Sequence, residues 1–169
     1  NAIYKIAVNY DQPKPPRDQF ALTFSEFMAN PQKGASEYIE LHNPSGQKLD
    51  ASDYSVGVQR RGKVTTWYPL SSHSCPIPAG GYHAFTTSVE GITAFYEAPH
   101  DSLTQSASLP QLANNGFTIE LLRHADSTVV ETFRYDPALL GKLRSQRGVA
   151  LERYISPTGD KSQEFWGAA

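Results

Sequence analysis

A chain of 169 residues and 18.6 kDa carries about one domain's worth of sequence, on a prior of ~150 residues per domain. Hydrophobic residues at 39%, with nine Tyr, eight Phe and two Trp, exclude a largely disordered polymer, because such rings are driven out of water. A formal charge of -2 gives no footprint for nucleic acid or an anionic membrane, and no run approaches the ~18 apolar residues of a membrane-spanning helix.

Twelve Gly and twelve Pro disfavour long helices and suit short strands joined by turns. Ile3–Tyr10 alternates loosely as a strand, and the following stretch to Gln19, with Pro13, Pro15 and Pro16, reads as a connector or crossing loop. Phe20–Met28 is the next strand, with Phe20, Leu22 and Phe24 on one face and Phe27 on the other. Glu37–Leu41 alternates cleanly, setting Ile39 and Leu41 opposite Tyr38 and Glu40. Asn43–Gly46 is a turn, Tyr54–Val58 and Val64–Tyr68 are strands, and Arg61-Gly62 between them is a hairpin turn. The rigid Pro76–Gly81 turn releases into a strand at Tyr82–Thr86.

Glu90–Leu112 reads as a long loop with one helical turn. Phe117–Arg123 and Thr128–Tyr135 form a hairpin after the Asn114-Asn115-Gly116 turn. Pro137–Leu143 suits a short helix, and Val149–Ile155 is the final strand. Frequent turn signals without a long amphipathic helix point to an all-β sandwich, and the same pattern permits a small closed barrel.

Cys75 is the only cysteine, which excludes an intrachain disulfide and a cysteine-based zinc cluster. The chain opens Asn1-Ala2-Ile3 with Met28 as its single methionine, so it reads as a piece of a longer protein.

Several segments, in order, resemble the lamin tail domain. Phe24-Ser25-Glu26-Phe27-Met28-Ala29-Asn30-Pro31 is similar to that family's opening, and Glu37-Tyr38-Ile39-Glu40-Leu41-His42-Asn43 to its core signature. Leu49–Tyr54 follows, with Asp53 and Tyr54 in place of the family's Gly and Trp. Ile77-Pro78-Ala79-Gly80-Gly81-Tyr82 and Leu112–Leu121 come next, the latter with Phe117 at a usually polar position. Gly148–Arg153, Ser156-Pro157 and Phe165-Trp166-Gly167 close the match, with Ala150 where the family has Ser.

The resemblance spans about Phe20 to Ala169. It implies an immunoglobulin-like β-sandwich of antiparallel strands with at most short helical turns, at residues 20–169. Residues 1–19 then form an extra strand and connector that belongs to this domain or ends a preceding one. It further implies a non-catalytic interaction or tethering module of a larger bacterial protein, secreted, periplasmic or at the cell surface. A monomer without cofactor is expected, its partner a protein or a cell-surface glycan.

Glu26, Glu37 and Glu40 form the obvious carboxylate set. As acid and base they would need a shared cleft and separated pKa values. The structural reading is preferred: Glu26 and Glu40 lie on adjacent strands and share a basic partner. The resemblance makes that partner Arg153, on a closing strand packed near the opening ones, with its guanidinium within hydrogen-bond range of Glu26 or Glu40.

His42, His73, His83, His100 and His124 lack local metal-ligand spacing. Asn43, Asp50 and Asp53 flank one turn region as a weak calcium set, but Asx-turn chemistry explains them without a metal. Ser71–Cys75 sets hydroxyls and a thiol beside an imidazole without the geometry of a nucleophilic site, and Arg60–Lys63 is a basic run at a hairpin tip.

Tyr54, Trp67, Tyr68, Tyr82, Phe95 and Tyr96 make an aromatic-rich middle. Trp67 and Tyr68 are consecutive, so on a regular strand one faces away from the core and is the partner-facing aromatic. Exposed aromatics would suit a carbohydrate-binding module, the main alternative. A small hydrolase is the competing enzyme reading. Trp166 is expected to pin the last segment onto the sandwich.

Overall fold

Short alternating segments become strands because each can bury one face only against a second layer. A computed structural model describes residues 20–98, 100–154 and 165–169. The strand at Ile3–Tyr10, its connector, Ile155 and Ser156-Pro157 lie outside the described residues.

In chain order the strands are β1 (Thr23–Met28), β2 (Tyr38–His42), β3 (Leu49–Asp50), β4 (Tyr54–Arg60), β5 (Lys63–Val64), β6 (Tyr68–Pro69), β7 (Pro76–Ile77) and β8 (Tyr82–Thr86). A four-residue helix, α1 (Glu90–Thr93), precedes β9 (Leu103–Gln105). The hairpin of β10 (Phe117–Arg123) and β11 (Thr128–Tyr135) follows, then β12 (Leu151–Tyr154) and β13 (Phe165–Ala168). Short 3-10 turns occupy Ala51–Asp53, His100–Ser102 and Pro137–Leu140.

One six-stranded sheet runs β13-β12-β1-β2-β8-β9, and a five-stranded sheet runs β11-β10-β4-β5 with β6 also on β4. The two form an all-β sandwich; β3 and β7 make a separate two-stranded pair. Not every pairing is antiparallel, as the sequence suggested: β8 and β9 run parallel. Parallel neighbours need a crossover, and the segment carrying α1 supplies it.

The core lies between the sheets. Ile39 and Leu41 of β2, Phe85 of β8 and Leu151 of β12 meet Val56, Ile119 and Leu121 of the facing sheet. Each such buried side chain contributes about 1.5–3 kcal/mol. Phe27 stacks on Phe133 at 5.3 Å and Trp166 at 5.7 Å between ring centroids, so the β13 tryptophan does pin the terminus into the core.

The expectation that Phe24 and Phe27 face opposite ways is corrected. The β1–β2 register shifts between Phe24 and Glu26, leaving Ser25 as an extra residue, and both rings then enter the core with centroids 5.1 Å apart. Phe20, expected on the same face as Leu22, is 63% exposed. The Val64–Tyr68 strand is broken into β5 and β6, which both pair with β4. The turn before β5 is a tight hairpin, Arg61 and Gly62 both having positive φ (53° and 82°). The strand ending the sequence reading is followed by another, β13.

Candidate functional site

The outward face of the six-stranded sheet carries a row of carboxylates. Register puts Glu26 directly opposite Glu152 on one side and Glu40 on the other, and Glu40 opposite Ala84. Like charges placed so disfavour one another. The adjacency expected for Glu26 and Glu40 is therefore present, with Glu152 added to the row.

Two hydroxyls brace it. The Tyr38 phenol donates a short hydrogen bond to Glu26, and Ser25, turned outward by the bulge, donates to Glu40 Oε1 at 2.8 Å. Burial raises the Glu40 carboxyl from its ordinary 4.5 to about 7; the Ser25 bond opposes this, and the Glu26 and Glu152 charges reinforce it. Burial also raises Glu26, opposed by the Tyr38 bond and reinforced by Glu152. Burial and the neighbouring carboxylate of Glu26 push the Tyr38 phenol far up, so it stays a donor. Among the described residues, no Lys or Arg side chain is ion-paired with this row.

The crossover from β8 to β9 folds over the row without filling the space. A pocket of about 300 Å³ remains, with Glu26, Glu40 and Tyr38 on the sheet side and Tyr96 on the crossover side. Ala84, Ile92 and Leu103 supply apolar walls, and the small side chain of Ala84 leaves room at the sheet surface. The Tyr96 hydroxyl oxygen is wholly buried and has no hydrogen-bond partner among the described residues. Burial raises the pKa of this phenol.

The expected bridge from Arg153 to Glu26 or Glu40 is corrected. Arg153 follows Glu152 along β12, and alternation turns it to the opposite face of the sheet. There its Nη1 meets Glu131 Oε1 of the other sheet at 2.9 Å and donates to the Phe24 carbonyl at 2.8 Å. The guanidinium carbon lies 5.2 Å from the Trp166 ring centroid. Glu131 Oε2 also accepts from the Phe24 amide at 2.7 Å. This pair ties the two sheets together from inside.

Asn43 and Asp50 are both occupied in turn chemistry. The buried Asn43 amide donates to the carbonyls of Gln47, Ile77 and Pro78, and its Oδ1 accepts from the Ser45 amide and hydroxyl. Asp50 caps the Ala51–Asp53 turn through Ser52 and also accepts from Ser74 and the Cys75 amide. Burial opposes ionisation of Asp50, but these bonds from Ser74, Cys75 and Ser52 outweigh it and hold the carboxyl well below its usual range. Asp53 is exposed, and its carbonyl accepts from the His124 amide. Among the described residues no group of three His, Cys, Asp or Glu side chains is arranged to hold a metal.

Trp67 and Tyr68 are both half-buried. Tyr68 packs against the core, whereas Trp67 lies close over Gly57, where an added Cβ would come within 3.1 Å of its ring. Glu37 is set apart from the carboxylate row, its Oε2 accepting from the Leu112 amide at 3.0 Å.

Cys75 lies 3.5 Å from His83 Nε2, which is 2.7 Å from the Thr104 hydroxyl. Burial raises the thiol and lowers the imidazole pKa, so both stay neutral and the three form a buried hydrogen-bond cluster. His42 stacks on Tyr82, and His124 meets the Ser55 hydroxyl.

Sequence reasoning missed Ser25, Glu131 and Glu152 as site or bridge residues, and it placed Tyr96 only within the aromatic-rich middle. Glu152 was within reach, since alternation from Arg153 places it on the Glu26 face once the strands are paired. The others depend on a bulge, a crossover and a contact between sheets. A scan against models of known protein families finds none that matches this chain, and no curated protein matches it.

Proposed function

We propose that this domain is a non-catalytic interaction or tethering module of the lamin-tail type, carried by a larger bacterial protein in an extracytoplasmic setting. The observation that carries the reading is the division of labour in the fold. Asn43, Asp50 and Trp166, which belong to the segments resembling that family, are engaged in holding turns and core. The Glu26–Glu40–Glu152 row instead faces outward beside an open pocket. Polar groups that do not stabilise their own fold are the ones available to another molecule.

A glycan partner is favoured by one specific feature. Tyr38 and Tyr96 stand beside carboxylates in the pocket, and a phenol ring with adjacent acceptors suits a sugar's apolar face and its hydroxyls.

The test is to probe labelled domain on protein and glycan arrays, with Glu40→Gln in parallel, and to assay it against ester, glycoside, phosphoester and peptide substrates. Capture by proteins that weakens in the variant supports the protein-binding reading. Capture by glycans alone moves the assignment to carbohydrate binding, and turnover of any substrate removes the non-catalytic assignment.

A further inference from the structure

The pocket under the β8–β9 crossover has a composition that selects its occupant. Ala84, Ile92 and Leu103 give it apolar lining, Glu97 and Ser102 add polar groups from the crossover, and the sheet side carries the Glu26 and Glu40 carboxylates. At about 300 Å³ it lies at the small end of ligand pockets, with room for one side chain and not for a folded segment.

We infer that this pocket receives the side chain of a lysine from a partner protein, with the methylene stem along the apolar walls and the ammonium between Glu26 and Glu40. The inference rests on the interaction-module reading above and gives that module's partner a chemistry.

Charge complementarity comes first. Opposed carboxylates repel, and a cation between them turns that repulsion into two attractions. Donor count comes next. An ammonium has three donors and no acceptor, and the pocket offers one carboxylate, with its several lone pairs, from each of two strands. Tyr38 and Ser25 already hold the carboxylates in place, and each keeps further lone pairs for a ligand.

Lysine is favoured over arginine for two reasons. A guanidinium fork prefers both oxygens of one carboxylate in a single plane, whereas here the charge is divided between carboxylates on neighbouring strands, which suits a compact point cation. A flexible methylene stem also covers apolar surface while its head stays with polar groups.

The experiment is a titration of the ¹⁵N-labelled domain with Nα-acetyl-lysine methylamide, followed through amide shifts. Saturable movement at Ala84, Tyr96 and Leu103 is expected. Binding should weaken roughly tenfold or more for the norleucine analogue, which lacks the ammonium, and for Glu40→Gln. Ala84→Phe, which fills the pocket and keeps the carboxylates, should abolish the response. Undisturbed β10–β11 shifts certify the fold of each variant, and Glu40→Gln decides alone if Ala84→Phe misfolds.

Equal binding of the norleucine analogue, tighter binding of the arginine analogue, or no movement overturns the inference. Tighter binding of free cadaverine overturns the partner-protein source. A silent titration with Glu40-dependent protein capture on the arrays would end this inference and leave the module reading standing. Lysine-analogue binding by a domain that captures nothing on the arrays would overturn the partner-protein source together with the module reading.

Discussion

The two faces of the six-stranded sheet handle charge in opposite ways, although the same strands build both. On the inner face Arg153 is enclosed with a carboxylate, a carbonyl and an indole ring, and its side chain is only 7% exposed. On the outer face, one residue earlier on the same strand, Glu152 joins a row of carboxylates in which hydroxyls brace Glu26 and Glu40. A buried charge must bring its counter-charge with it, whereas a charge beside an open pocket can leave that role to another molecule. Internal pairing of this kind holds the two sheets together, whereas the outer carboxylates line a space that another molecule can enter.

That contrast can be broken most forcefully from the inside. Arg153→Met should destabilise the domain by about 3–5 kcal/mol in urea unfolding, because Glu131 is left buried without its cation. Adding Glu131→Leu should recover much of the loss. If the double variant is no better than the single, the pair is not what couples the sheets.

The outer face should respond mainly to pH. Glu40 has a folded pKa raised to about 7, above its ordinary 4.5, so the folded state binds the extra proton between those values. Stability is therefore greatest below about 4.5 as far as this group is concerned, and falls as pH rises through about 7. Allowing for solvent screening, the change is about 2 kcal/mol. Glu40→Gln should flatten the profile and leave the protein more stable on the alkaline side. Thermal unfolding across that range checks both the sign and the flattening.

The smallest effect sharpens the role of the braces. Tyr38→Phe removes the donor to Glu26 and should cost about 1 kcal/mol when Glu26 is ionised, and less once it is protonated. Denaturant unfolding on the two sides of the Glu26 titration measures the difference.

Much of this architecture was legible from periodicity and turn residues. β8, β10 and β11 match their sequence readings at both ends, and Tyr38–Leu41 shows its faces directly. What escaped detection has a physical cause in each case. β9 is three residues long and parallel to its neighbour, so neither alternation nor a hairpin turn announces it. β13 lies beyond the strand expected to be last, and only Trp166 hinted at its packing. The Glu26–Glu40 adjacency followed from two well-read strands. The partner of Arg153 did not, because proximity in strand order says nothing about face until the register is fixed.

The extra residue in β1 has a consequence for sequence change. Losing the single codon for Ser25 would leave Phe24 opposite Leu41, Glu26 opposite Glu40 and Phe27 opposite Ile39, an uninterrupted ladder with both rings still inward and the carboxylate still outward. What a three-base deletion takes away is the hydroxyl that donates to Glu40. Shortening here should therefore spare the aromatic interior and register first in the acid–base behaviour of the outer carboxylates.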